Sequence, residues 1–240
     1  MDPQALGLLR EGAASWGLKL DNREAALFSR LADCLSAGSA RLNLTAITIP
    51  EEIVVKHFLD SLAGLQVIDP AVGKRIIDVG SGAGFPGLPL KIVRPELELT
   101  LLESSRKKAG FLEATVRELG LEGVLVTGMR AEEAGRDPAH RGNYHWAVAR
   151  ALAPVSVLGE YCLPFLQVPG VLVAYKGPAV GAELARARHA LAVLGGVVRE
   201  VLEFKLPGVE DRRSLVVIEK TASTPERFPR RAGAAAKRPL

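Results

Sequence analysis

Four glycines crowd the stretch "IIDVGSGAGFPG" at residues 76–87, behind an apolar run and the acid Asp78. Side chains missing at that density mean that a ligand or another stretch of backbone lies close against the chain. Two more carboxylates recur downstream: Glu103 closes "LELTLLE", and Glu132 follows "GVLVTGMRA". An ionised carboxylate accepts several hydrogen bonds at once, which suits the paired hydroxyls of a ribose or the amino edge of a base. Arg150 and Lys176 each follow an apolar run, an expensive place for a charge without a partner. Glycines, acids and these cations together suggest a site for a nucleoside-bearing ligand. The two cysteines, Cys34 and Cys162, lie far apart, and the four histidines lack metal-ligand spacing. Neither a disulfide framework nor a metal centre is expected.

The elements that must hold these residues follow from periodicity. From Lys74 onward strands alternate with helices: "RIIDVG", "LELTLLE", "GVLVTG", "HWAVARA" and "GVLVAYKG" are strands, each followed by a helical or turn segment. Such alternation calls for a mostly parallel sheet covered on both faces. The chain closes differently, with "VVREVLEFKLP" and "SLVVIEK" joined across the polar turn "GVEDRR". That is a hairpin, so the last strand is expected to run antiparallel. Before Lys74 come three helical patterns: "DPQALGLLREGAASWG" with an aspartate cap and an early proline, "DNREAALFSRLADCLSAGSARLN", and "PEEIVVKHFLDSLAGLQ". The expected organisation is a small N-terminal helical segment (1–70), an α/β domain (71–223) and a basic tail (224–240).

In such a sheet a ligand binds beyond the carboxyl ends of the strands, where strand order reverses, and the glycine loop lies there. Two fingerprints overlap in it. Residues 82–87, "GAGFPG", match the dinucleotide pattern, with Glu103 at a fitting distance. Residues 78–84, "DVGSGAG", match the acid-x-Gly-x-Gly-x-Gly loop of S-adenosylmethionine-dependent methyltransferases. The apolar run ends at Val79, so a dinucleotide motif counted from Gly80 needs Gly or Ala at position 85, where Phe85 stands. Asp78 also suits a cationic ligand better than a pyrophosphate, and Pro86 suits the first turn of the next helix. The terminal hairpin favours the methyltransferase reading too. On that reading Glu103 takes the ribose hydroxyls, Ser104 and Ser105 continue its turn, and Ala131 with Glu132 reads the adenine edge. The plain alternatives are a salt bridge from Glu103 to nearby lysines and a helix-dipole role for Glu132.

Composition is that of an ordinary globular chain of 240 residues, 48% hydrophobic and 24% charged. No apolar run reaches membrane-spanning length, and the N-terminus lacks the plan of a signal peptide. With few cysteines, a reducing cytoplasm is the expected home. The net charge of +4 is localised. Arg227, Arg230, Arg231, Lys237 and Arg238 face Glu226 alone in the tail, which supplies the whole excess. Three readings stay open: a loose solvated terminus, an arm for phosphates, or a strap packed down through Phe228 and Pro229.

The blocks "DVGSGAGFPGLPL", "LLESSRKKAGFL", "ARAL", "AYKG" and "RFPRRAG…KRPL", with "RLNLTAI" and "HFLDSL" before them, resemble the RsmG family, once called glucose-inhibited division protein B. The resemblance runs over nearly the whole chain. It implies a Rossmann-like class I methyltransferase that places a methyl group from S-adenosylmethionine on ring nitrogen 7 of one guanine in 16S rRNA. Carried over by position, the cofactor contacts are Gly80, Phe85, Glu103, Ser104, Ser105, Ala131, Glu132 and Arg150. The implied partner is 16S rRNA or the small ribosomal subunit; a monomer without metal or membrane is expected. His57, Lys176, Arg227, Arg230, Arg231 and Lys237 are the candidate RNA contacts, with a packing or capping role for His57 equally open. The residues suit that chemistry by what they lack. The turn after the fourth strand reads "VARALAPV", without the Pro-Pro-aromatic motif of amine methylation, and Cys162 sits in a helix as a small apolar residue would. Nitrogen 7 has a lone pair and no proton to lose, so transfer needs alignment at about 3–3.5 Å rather than a base or a covalent nucleophile.

Overall fold

The computed structural model describes residues 1–178, 180–210 and 212–240. Asp211, in the turn read between the last two strands, lies outside the described residues. Seven strands form one sheet: β1 (Arg75–Val79), β2 (Glu98–Leu102), β3 (Val124–Thr127), β4 (Tyr144–Arg150), β5 (Leu166–Lys176), β6 (Gly196–Phe204) and β7 (Arg213–Lys220). Their spatial order is β3-β2-β1-β4-β5-β7-β6. The first five pair in parallel, and β7 is antiparallel to both β5 and β6. The terminal hairpin thus folds back so that its second strand sits inside the sheet and its first strand forms the edge. Strand order reverses between β1 and β4, which places the crevice at the turns that follow those two strands.

Alternation along the strands sorts the core into two layers. Ile76, Leu99, Trp146, Val148, Val173 and Tyr175 face one side, and Ile77, Ala147, Ala149, Leu172, Ala174 and Val216 the other. The first face is covered by α5 (Gly87–Val93), α6 (Arg106–Leu119) and the N-terminal helices, whose Leu9, Phe28, Leu31 and Phe58 join the same apolar cluster. The N-terminal segment is therefore built into the core of the sheet. The second face is covered by α7 (Ala131–Ala134), α8 (Val155–Cys162) and α9 (Gly181–Leu194).

Local sequence explains how the N-terminal helices begin. Asp2 caps α1 (Pro3–Ala14) by accepting from the Ala5 amide, and Asp21 with Glu24 forms a capping box on α2 (Asn22–Leu42). The third helical pattern differs from a plain α-helix. It runs as α3 (Pro50–Ile53), a π-helical turn over Val54–Leu59, α4 (Asp60–Leu62) and a 3-10 turn over Ala63–Gln66. A π turn inserts backbone into the helix and re-aims the side chains it carries. His57 within this turn and Asp60 just after it both line the crevice.

The tail is strapped to the second face. Phe228 is buried in that layer's core. Arg141 donates to the carbonyls of Phe228 and Thr224, and Arg136 to that of Pro229. Arg230 holds Glu160 of α8 through its amide and guanidinium, at 2.6–3.0 Å, and Glu160 is almost wholly buried. The chain then ends in a short turn of helix, α10 (Ala234–Lys237).

Candidate functional site

Two pockets open at the carboxyl edge of the sheet. The first is a cleft of about 300 Å³ over the turns after β1, β2 and β3, with Gly80, Ser104, Ala131, Glu132, Leu152 and Tyr161 among its lining residues. Gly80, Gly82 and Gly84 have φ of 74°, 58° and 95°, a region side chains rarely adopt. They do different jobs. A Cβ on Gly84 would strike Leu88, and one on Gly80 would strike Leu152, so these two permit close packing. A Cβ on Gly82 would meet only a carbonyl at 3.9 Å, so this residue leaves its space to a ligand.

Glu103 ties the loops together. Its Oε2 accepts from the Gly82 amide at 3.0 Å and its Oε1 from the Ser105 amide at 2.7 Å. Each oxygen keeps a second lone pair, so the carboxylate is aimed yet still able to accept from a diol. Ser105 caps α6, while Ser104 is exposed at the cleft. Glu132 is buried and accepts from the Gly233 amide at 2.7 Å. Gly233 and Ala236 also line the cleft, so the tail supplies part of its wall.

Asp78 lies beneath the loop, fully buried. Its Oδ2 accepts from the Gly87 amide at 2.8 Å, holding the start of α5, and its Oδ1 is unpartnered among the described residues. Burial pushes this carboxyl up to about 7, against the Gly87 hydrogen bond and the Arg150 charge, which pull it down. Pro86, expected inside the helix, stands just before it as the N-cap residue.

The second pocket, about 380 Å³, is lined by Lys56, His57, Asp60, Arg150, Lys176 and Arg213 together with the uncharged Ile47, Ala151, Tyr175 and Gly177. The Phe85 ring stacks on His57 at 4.8 Å, and the Arg150 guanidinium lies over the same ring at 5.2 Å. Ala151 lines the second pocket and Leu152 the first, and Ala151 between them has φ of 52°. A non-glycine residue held there is uncommon and is a feature of sites where strain serves positioning. Arg150 donates to Asp60 Oδ2 at 2.9 Å and to the Lys56 carbonyl at 3.1 Å. Lys176 donates to Glu183 and to the Ala153 carbonyl, both at 2.7 Å, and so braces the turn after β4. His57 Nε2 pairs with the Thr45 hydroxyl at 2.9 Å. Burial, reinforced by the Arg150 charge, lowers the His57 ring to about 4, so it is neutral near pH 7.

The structure brings Gly80, Ser104, Ala131 and Glu132 together around one cleft, with Glu103 holding its loops, and brings His57 and Lys176 to the other pocket; Arg150, expected among the cofactor contacts, also lines that other pocket, where Asp60 holds it. Phe85 lines neither pocket and is packed against His57 and Arg150. The tail residues divide: Arg230 is turned inward on Glu160, while Arg227, Arg231 and Lys237 are exposed. Cys162 is fully buried, and burial pushes its thiol far up, so no thiolate is available there. Sequence reasoning missed Asp60, Arg213, Leu152, Tyr161 and Gly233. Asp60 stood within "HFLDSL", but only the π turn shows which way it points. No metal-holding group of His, Cys, Asp or Glu occurs among the described residues, and no described helix is long and apolar enough to cross a membrane.

Comparison with known proteins identifies the family and the fold. The family model described as rRNA small subunit methyltransferase G matches residues 24–216. A relative named ribosomal RNA small subunit methyltransferase G from Pelotomaculum thermopropionicum is 47% identical over 97% of this chain and 97% of its own. One of the same name from Roseiflexus castenholzii is 51% identical over 95% of this chain and 97% of its own. Among solved structures, P. horikoshii TYW2 in complex with MeSAdo superposes with a TM-score of 0.53 at 10% identity, covering 68% of this chain and 62% of that one, which speaks to the fold.

Proposed function

Because this chain belongs to the family of rRNA small subunit methyltransferase G, we propose that it carries a methyl group from S-adenosylmethionine to ring nitrogen 7 of a guanine in 16S rRNA. The observation that carries this reading is the pair of pockets at the switch point, one glycine-walled with the buried Glu132 in its lining, the other mostly basic, adjoining at the consecutive residues Ala151 and Leu152.

The residues on and beneath the turns that bound the first cleft fit the cofactor. Gly82 leaves open space beside the backbone, Glu103 presents two oxygens with free lone pairs, and a buried oxygen of Asp78 waits unpartnered under the loop. Glu103 would take the ribose hydroxyls, Ser104, Ala131 and Glu132 the adenine side, and Gly80 and Gly82 the approach of the chain between them. When bound, the cofactor supplies an electrophilic methyl carbon on a sulfonium. The protein's part is to exclude water and hold the purine. The Phe85, His57 and Arg150 stack gives the base a fixed wall to lie against. Nitrogen 7 carries its own lone pair and has no proton to lose, so these residues would have to hold the base in line without acting as a base or a nucleophile. That requirement explains why a neutral His57 and a buried Cys162 are compatible with activity. Arg213, Lys56 and the exposed tail cations Arg227, Arg231 and Lys237 suit the flanking phosphates. We place the protein in the cytoplasm as a monomer acting on rRNA or the small subunit.

Incubating the protein with 16S rRNA and methyl-labelled cofactor, then digesting to nucleosides, tests the reading by mass spectrometry. Label in 7-methylguanosine is the expected product. Label only in another nucleoside, or none, would overturn it.

A further inference from the structure

The second pocket has one acidic lining residue among several basic ones, and that residue is Asp60. Its Oδ2 is taken by Arg150. Its Oδ1 makes no hydrogen bond among the described residues; it is ion-paired at 3.9 Å with Arg213 Nε, which likewise makes no hydrogen bond. The carboxylate is thus fixed in direction, largely desolvated, and has lone pairs left over. It follows the π turn directly, on the same helical run that presents His57 to Phe85.

A site that alkylates nitrogen 7 has a selection problem. Adenine and guanine both carry that atom, and it must face the methyl donor, so the arginine contact that ordinarily reads N7 and O6 of guanine together is unavailable. Discrimination has to come from the opposite edge. There guanine offers two donors, N1–H and the 2-amino group, where adenine offers the bare lone pair of N1. A carboxylate attracts the first and repels the second. A cation does neither, and every other charged side chain lining this pocket is cationic.

We propose that Asp60 reads the Watson–Crick edge of the target guanine, accepting from N1–H and the 2-amino group, and so selects guanine over adenine. The assignment rests on the methyl-transfer reading above and adds to it the group that sets base specificity. It has a catalytic consequence as well. Positive charge enters the purine as the carbon–nitrogen bond forms, N1–H becomes more acidic, and the hydrogen bond to a fixed carboxylate strengthens in the transition state. The pocket's cations would oppose that charge without Asp60 beside them.

The test compares kcat/KM on RNA carrying guanosine, inosine or adenosine at the methylated position, for the wild type and for Asp60→Asn. Inosine keeps N7 and N1–H and lacks only the 2-amino group. The wild type should favour guanosine over inosine by roughly tenfold, within the range of a bidentate base contact, and leave adenosine unmodified. In Asp60→Asn the rate on guanosine should fall and the guanosine-to-inosine ratio should drop toward one. Calorimetry of cofactor binding to the variant checks that the first cleft is intact. Equal rates on guanosine and inosine in the wild type, which needs no variant, would overturn the inference. So would an unchanged ratio in a variant that is merely slower, because a residue that only braces Arg150 lowers both rates alike. Absence of 7-methylguanosine from the wild-type reaction would instead sink the reading on which the inference rests.

Discussion

The two pockets share one edge of one sheet, yet they are built in opposite ways. The first cleft is made by turns that follow β1, β2 and β3 in succession, and the carboxylates on those turns are held by backbone amides: Glu103 by Gly82 and Ser105, Glu132 by Gly233. The basic pocket is made by side chains from distant parts of the chain: Asp60 and His57 from the π-turn helix, Arg150 from β4, Lys176 from β5, Arg213 from β7. The first needs particular backbone conformations, and the second needs particular packing. Damage should therefore look different in each, with backbone changes abolishing cofactor binding and side-chain changes altering RNA selection.

The largest effect should come from Gly82→Val. The residue has φ of 58° and faces open space, so a branched side chain both strains the loop and fills the ligand's place. Calorimetry should detect no cofactor binding, while RNA binding persists. A folded variant with near wild-type cofactor affinity would break the comparison at its first term.

The tail sharpens it next. Removing residues 224–240 leaves Glu160 buried without Arg230 and takes away Gly233 and Ala236 from the cleft wall. Breaking a buried ion pair costs about 3–5 kcal/mol, which lowers Tm by roughly 6–20 °C in a domain of this size. Cofactor affinity should fall with it. If the truncated protein kept its Tm and cofactor affinity and lost only the salt dependence of RNA binding, the segment would be a phosphate arm instead of a strap.

A smaller effect concerns pH. His57 titrates near 4 in the folded state against an ordinary 6.5, so the unfolded chain binds the extra proton between those values and stability rises with pH there. Asp78 titrates near 7 against an ordinary 3.8, so the folded chain holds the extra proton and stability falls as pH rises over the same window. The two opposed slopes nearly cancel in the wild type. Asp78→Asn removes the falling branch, so urea midpoints should rise from pH 4 to 6.5, by at most about 1.4 kcal/mol per pH unit. A flat profile in that variant would mean that His57 is not held neutral.

The smallest effect should come from Cys34→Ala with Cys162→Ala. The buried Cys162 packs in the second core layer, so a loss of about 1 kcal/mol of stability is expected with methyl transfer retained. Loss of transfer in a folded double variant that binds both substrates would restore covalent chemistry to consideration.

The same contrast explains what was legible in the sequence. All seven strands and the terminal hairpin could be read, as could the position of Gly80, Glu103 and Glu132 on the turns after β1, β2 and β3, because these depend on local period and on position after a strand. Asp60 and Arg213 could not. Nothing in "HFLDSL" announces a π turn, and an arginine opening β7 reaches the crevice only because the hairpin's second strand inserts beside β5. The tail's cations suggested an arm by charge alone. The Arg230 pairing depends on Glu160 of α8, which is 70 residues away in sequence.

The central claim is that the two pockets meet at nitrogen 7 of one guanine. It is tested most directly by replacing that single atom, using RNA with 7-deazaguanosine at the position that the mass spectrum identifies. The Watson–Crick edge and the phosphates are unchanged, so the account predicts that this RNA binds as the natural one does and receives no methyl group. Methylation of the 7-deaza RNA at any position of that base would contradict it.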